Sequence, residues 1–278
     1  MGLTIHYSLK TPGNDAQARE LINALHKTAQ DLPFKQLGRV VELSGEDCNV
    51  QGRSQADPLR WLLIQATGSV EVKPEGQNHN PAYRTWHDVV PCRLIAFDTW
   101  PGEGCEGANF GLCQYPPVIK TSRGPLRTAL EGWRWGSFCK TQYASDPNCG
   151  GVANFLRCHL TVIAMLDRAK ALGCLEEVSD EGGFWEKRNL PALVQEIGSW
   201  NQMIAAFGGL LKDLVGDGPL GIQSAIAEYP NFEQLEAAGQ DKLPPGYKEL
   251  AKLLARVGAL PQPMEAARSE SAPSEASP

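Results

Sequence analysis

The residues best equipped for chemistry fall between positions 98 and 186. The segment 133–143 alternates in character, which predicts a strand with Trp133, Trp135, Ser137, Cys139, Thr141 and Tyr143 on one side. Arg134, Lys140 and Gln142 share the other side. A guanidinium, an ammonium and an amide on one face suit an anionic or amide-bearing ligand where that face lines a pocket. Where it faces water they are solvated charges, the commoner case. Asp180, Glu181 and Glu186 lie beside Phe184 and Trp185. A carboxyl against an aromatic wall has a raised pKa and can act as a general acid. The same residues ahead of a helix are ordinary turn and cap residues, favoured there by the helix dipole. Lys140 paired with Asp180, Glu181 or Glu186 would make one site of hydrolase or transferase type. His159 falls in the apolar arc of a helix. A buried imidazole can be a base or ligand, but more often it bonds a neighbouring group and stays inert. Arg134, Gln142 and Trp185 are the candidate binding residues.

Several short patterns fail on their context. Gly102-Glu103-Gly104-Cys105-Glu106-Gly107 fits the dinucleotide pattern G-x-G-x-x-G, which needs a helix next. Here Gly111 and Pro116-Pro117 follow, and Glu103 and Glu106 would repel a phosphate. Ser137 and Lys140 fit S-x-x-K, yet a strand puts them on opposite faces. The eight cysteines include no C-x-x-C pair, and no H-E-x-x-H is present, so no metal site and no cofactor are expected. Cys105, Cys113 and Cys139 leave a thiol or metal protein as a third class. Cys105 is the thiol expected to be most exposed, and its sequence neighbours include no base to lower its pKa.

These residues need a scaffold. Leu3, Ile5, Tyr7 and Leu9 alternate with polar residues as a half-buried strand. Asn14 or Asp15 then caps a helix whose apolar face runs from Ala18 to Leu32, and residues 39–43 read as a second strand, giving a β-α-β opening. Residues 61–66 read as a short apolar strand, with 68–73 continuing it as a hairpin arm, 74–88 a loop, 93–97 a strand and 98–114 irregular because of its glycines. A largely buried helix is predicted over 152–172, ended by Gly173. Asn189 caps another that runs to Gly216, and shorter helices follow near 221–228, 231–238 and 246–258. Residues 261–278 are Ser, Pro, Ala and Glu, a composition expected to stay disordered.

Cys139-Lys140-Thr141-Gln142-Tyr143-Ala144 and Asp180-Glu181-Gly182-Gly183-Phe184-Trp185-Glu186 resemble two motifs shared by a group of bacterial proteins without an assigned activity. Those proteins open on a strand similar to Thr4-Ile5-His6-Tyr7. The resemblance spans residues 3 to about 215. It implies that both motifs belong to one fold unit, and it implies no substrate.

Strands first and helices later predict an α+β fold: a mostly antiparallel sheet opening with β-α-β, two long helices on one face, and short C-terminal helices. The expected organisation is a globular domain over 1–216, a helical extension over 217–260 and a tail over 261–278. A net charge of −6, no basic cluster, no membrane-length apolar run and no export signal point to a soluble cytoplasmic protein that binds neither nucleic acid nor membrane. With no intact catalytic motif, the leading expectation is a non-catalytic binding or regulatory module for a protein or small-molecule ligand. The alternative is the enzyme built on Lys140 and the 180–186 carboxylates.

Overall fold

Alternation in the first strand sets the sheet. The computed structural model describes residues 3–72, 85–215, 225–239 and 242, and divides into two units, 1–200 and 201–278. β1 (Thr4–Thr11) buries Ile5, Tyr7 and Leu9. Asn14 caps α1 (Asp15–Gln30): its side chain accepts from Gln17 N, and Gln17 Oε1 accepts from the Asn14 N–H. β2 (Gln36–Leu37), β3 (Val41–Ser44) and α2 (Arg60–Ala66) follow, then β4 (Gly68–Val72), β5 (Thr85–Val89), β6 (Arg93–Phe97), β7 (Thr99–Trp100) and β8 (Phe110–Gln114). Next come β9 (Val118–Thr121), β10 (Gly124–Arg127), β11 (Trp133–Lys140), α3 (Gly151–Ala171), β12 (Leu175–Asp180) and α4 (Phe184–Lys187). α5 (Leu190–Val215) and α6 (Phe232–Gly239) complete the order.

The fold is α+β. The main sheet has six strands in the order β12-β1-β11-β8-β6-β3, and every neighbouring pair is antiparallel. β1 and β3 do occur either side of α1, but three strands lie between them, so the opening β-α-β is not a local pair. Cross-strand partners point to the same face. One face therefore carries Ile5, Tyr7, Leu9, Trp133, Trp135, Ile95, Phe97, Phe110 and Leu112, all buried. α1 and α3 pack there: His26 meets Phe97 edge-on, and Val162, Met165 and Leu166 join Ile22 and Leu25 in the core. The opposite face carries Cys113 and Tyr115, where Tyr115 Oη donates to Ala66 O of α2. A second cluster joins Leu3, Ala144, Phe155 and Cys158 to Leu193 and Ile197 of α5, whose first turn is capped by Asn189 Oδ1 accepting from Ala192 N.

Five local expectations change. Residues 61–66 are helical: an apolar run this short fits either state, and the Asp57 carboxylate, accepting the Leu59 N–H, turns the chain into a helix. Residues 85–89, read as loop, form β5 against β4, while 73–84 lie outside the described residues. The glycine-rich stretch ends in a regular strand, β8, and β12 follows Cys174 where no strand was expected. Gln142 leaves the strand: it is buried in a 3-10 turn, Gln142–Ser145, so Arg134 and Lys140 share a face without it. In the second unit, the turn Ala225–Glu228 and α6 match the helices read near 221–228 and 231–238, whereas 246–258 and 261–278 lie outside the described residues. Among the described residues no helix is long and apolar enough to cross a membrane.

The sheet opens between β11 and β8. All eight residues of β11 pair with β1, but only Trp133 and Arg134 pair with β8, at Gln114 and Cys113. Beyond them the Asn109 carbonyl accepts from Trp135 Nε1 at 3.0 Å and from Tyr7 Oη at 2.7 Å. The Trp135 ring takes the space a side chain at 111 would fill, since a Cβ on Gly111 would lie 2.9 Å from Trp135 Cε3 and 2.5 Å from Ala96 Cβ. Gly111→Ala therefore overpacks a site bounded by a ring and a neighbouring strand. Urea unfolding should show a loss of about 1–3 kcal/mol; an unchanged midpoint would mean that the indole is not held against residue 111.

Candidate functional site

The two motifs meet at Asp180. As the last residue of β12, opposite Ile5, Asp180 points its carboxylate into the protein. Oδ1 accepts the Gly182 N–H at 2.8 Å, and Oδ2 accepts those of Phe184 and Trp185 at 2.8 and 2.9 Å. His159 Nε2 lies 3.3 Å from Oδ2, and His159 Nδ1 lies 3.0 Å from Thr141 Oγ1. Burial would raise the Asp180 pKa, but the imidazole and the backbone donors of Trp185 and Gly182 outweigh it and hold the carboxyl below its ordinary value. The ionised carboxylate selects the Nε2–H tautomer and leaves Nδ1 to accept the Thr141 hydroxyl.

Hydroxyl, imidazole and carboxylate in series have the form of a nucleophile relay. Thr141 and His159 are 0% exposed, and so is the Asp180 side chain, so the relay is closed to substrate and acts as a brace. The glycines of the loop serve the same brace. A Cβ on Gly182 would lie 2.7 Å from Leu193 Cδ1 and 3.3 Å from His159 Cε1, and Gly183 has φ +65°.

The other candidates are dispersed around this brace. Lys140 pairs with Thr4 and Asp180 with Ile5, on opposite sides of β1. Adjacent strands are about 4.8 Å apart, so the two backbones are about 10 Å apart. Alternation also sends the side chains to opposite faces of the sheet. Lys140 Nζ sits 4.6 Å over the Tyr143 ring. Glu181 Oε2 accepts the Thr4 N–H at 2.9 Å, a strand-end contact. Glu186 is exposed on α4. Trp185 stacks under the Arg188 guanidinium at 4.5 Å, and Arg188 pairs with Asp167 at 2.7 Å. Arg134 meets Glu176 at 3.3 Å, an ion pair near the surface that contributes little.

The thiols are likewise engaged. Cys139 is buried and donates to Glu106 O, and burial pushes its pKa up. Cys105 is half-buried, with its pKa raised by its contact with Cys158 and by burial. That contact and the Arg157 guanidinium, 3.1 Å from Cys158 Sγ, lower the pKa of Cys158 instead. The base missing from the sequence neighbourhood of Cys105 is thus supplied by α3, to a different cysteine. Among the described residues no group of three His, Cys, Asp or Glu is placed to hold a metal ion.

The open space lies where β11 and β8 part. A cleft of about 830 Å³ is walled by Trp61 and Ile64 of α2, Trp100, and Gly136 and Phe138 of β11. Trp61 is 74% exposed, Phe138 47% and Ile64 40%, so large apolar groups face solvent together. At its base Gln65 Nε2 donates to Ser137 Oγ at 2.5 Å, and Asn109 Nδ2 donates to Gln65 Oε1 at 2.9 Å. Asp98 and Glu106 stand on its rim. Another depression, about 620 Å³, lies between α1 and the end of α3; Gln17, Glu20, Leu21 and Arg168 line it, and it has no aromatic wall. Sequence pattern alone does not single out Trp61, Ile64 and Gln65, because an apolar run as short as 61–66 fits a strand as well as a helix. The available signal was Asp57-Pro58, a helix-start pair, just ahead of them.

No family model matches the chain, and comparison with curated proteins and with solved structures returns no match.

Asp180→Asn replaces an acceptor oxygen with an amide among three backbone donors and His159, and should cost about 1–3 kcal/mol. The sign with pH follows from the lowered carboxyl pKa: the contribution is complete above the unfolded carboxyl value of about 3.9 and is lost as pH falls through the lower folded value. Stability measured from pH 7 down to pH 2 should fall less steeply in the variant. An acid limb parallel to that of the parent would remove Asp180 from the account.

Proposed function

We propose that this chain is a soluble, cytoplasmic, non-catalytic binding or regulatory protein, and that it binds its partner in the cleft between α2 and β11. The observation that carries this reading is the cleft: Trp61, Ile64 and Phe138 turned to solvent over a base whose polar groups are mutually bonded. Its volume falls within the range of ligand sites, roughly 300–1,000 Å³. An aromatic wall with a small number of fixed polar groups is a common makeup for such sites.

The distribution of titratable groups supports binding over catalysis. Asp180 and His159 are consumed by the brace, and Lys140 is turned onto Tyr143. The alternative, a hydrolase or transferase joining Lys140 to Asp180, Glu181 or Glu186, has less behind it: the register sets β1 between Lys140 and Asp180, and among the described residues no ion pair joins Lys140 to Glu181 or Glu186, its ammonium lying over the Tyr143 ring. A nucleic-acid or membrane partner fits poorly with a net charge of −6 and a rim made of carboxylates.

Nile red, a neutral apolar dye, probes the cleft directly. It should bind saturably, and Trp61→Ala with Phe138→Ala should weaken that binding at least about tenfold, equivalent to 1.4 kcal/mol. Because both side chains are exposed, unfolding stability should move by no more than about 0.5 kcal/mol for each. Dye binding unaffected by the pair, or mapping to the depression between α1 and α3, would overturn the assignment.

A further inference from the structure

The backbone of the cleft wall narrows the partner's chemistry. In an antiparallel strand, alternate residues send both N–H and C=O to the same side. Thr141 N–H donates to Leu3 O at 3.0 Å, which fixes the odd-numbered residues of β11 toward β1. Lys140 O accepts from Glu106 N at 3.0 Å, on the side where Arg134 meets Cys113. Gly136 and Phe138, between those two anchors, therefore aim their N–H and C=O groups into the gap, where β8 no longer runs. Both residues are exposed and both line the cleft. Two consecutive ladder positions thus stand open inside a sheet, a length of strand edge that proteins ordinarily cover. Gly136 keeps the approach clear, since even an added Cβ would meet nothing within 4 Å.

Charge and ring chemistry point the same way. Among the described residues, Asp98 and Glu106 are the only charged ones lining the cleft, and no cation pairs with either. Trp61, Trp100 and Phe138 offer aromatic faces beside them, the surroundings in which a guanidinium or ammonium gains from both carboxylate and ring. The Trp100 indole is held in place by donating to Cys105 O at 3.0 Å.

We infer that the occupant of the cleft is a basic, extended segment of a partner protein, which adds to the open edge of β11 as a short strand and sets Arg or Lys side chains between the aromatic walls and the Asp98 and Glu106 carboxylates. The inference rests on the cleft being the binding site, as proposed above, and specifies what enters it. The open positions supply main-chain hydrogen bonds, the mode of strand addition, and the carboxylates select the sign of the side chains.

The probe is a blocked pentapeptide of alternating Arg and Val, titrated into the full chain by tryptophan fluorescence and by amide hydrogen exchange. It should bind and protect the amides of Gly136 and Phe138. N-methylation at alternate residues should weaken binding about three- to tenfold per blocked amide in one phase and leave it unchanged in the other, because only one edge of an added strand faces β11. The same peptide with Glu for Arg should bind at least about tenfold more weakly, and Asp98→Asn with Glu106→Gln should erase that preference. Binding without protection at Gly136 and Phe138, equal binding of both N-methylated phases and the parent, or equal binding by arginine amide alone would each overturn the strand-addition mode. If Nile red occupies the cleft but the Arg peptide neither binds nor displaces it, this inference fails while the binding reading stands. If dye binding is also indifferent to Trp61→Ala and Phe138→Ala, both fail.

Discussion

The Asn109 carbonyl accepts two side-chain donors, Tyr7 Oη and Trp135 Nε1, at the point where an antiparallel ladder would continue across from β11 to β8. Much of the molecule follows from that substitution. A buried phenol and a buried indole each need a partner for their polar atom, and this one carbonyl serves both. The Trp135 ring then occupies the space over Gly111, which only glycine leaves free. β11 keeps its pairing with β1 along its full length and loses β8 after Arg134. The gap is filled in part by α2, whose Gln65 bonds to both Ser137 and Asn109. The cleft is thus a consequence of how two large amphipathic side chains are satisfied in the core.

The second fixed point is the Asp180 carboxylate. It ties the end of β12 to the Gly182–Trp185 turn by three backbone hydrogen bonds and to α3 through His159, and His159 reaches Thr141 just beyond the end of β11. Two strands and a helix are thereby locked together at one end of the sheet. A buried carboxylate without such donors would be strongly destabilising, whereas one with three N–H donors and an imidazole is stable in its charged form. The segments 139–144 and 180–186 therefore supply the two ends of a structural brace, and their polar character reflects the cost of leaving a buried charge unpaired.

The brace and the cleft divide the polar residues by role. Asp180 and His159 are in the brace, while the cleft holds aromatic rings, amides, the Thr99 and Ser137 hydroxyls and two rim carboxylates. The acidic rim carries the same sign as the whole chain, whose net charge is −6.

Local pattern alone determined the elements whose periodicity is strong: β1, α1, β11, α3 and the start of α5, together with the α+β class and the burial of His159. Burial in these elements follows directly from side-chain alternation or helical spacing, which are properties of neighbouring residues. The form of the tie between Thr141, His159 and Asp180 is not legible in the sequence. Sequence spacing lets Lys140 reach Asp180, because it says nothing about which strand lies between two others. Only the tertiary structure decided that β1 runs between β11 and β12, that residues 61–66 are helical and that β8 parts from β11. Those outcomes depend on contacts between distant residues, such as Tyr7 and Trp135 with Asn109 or Gln65 with Ser137, in which polar atoms partly withdrawn from water find partners within the protein.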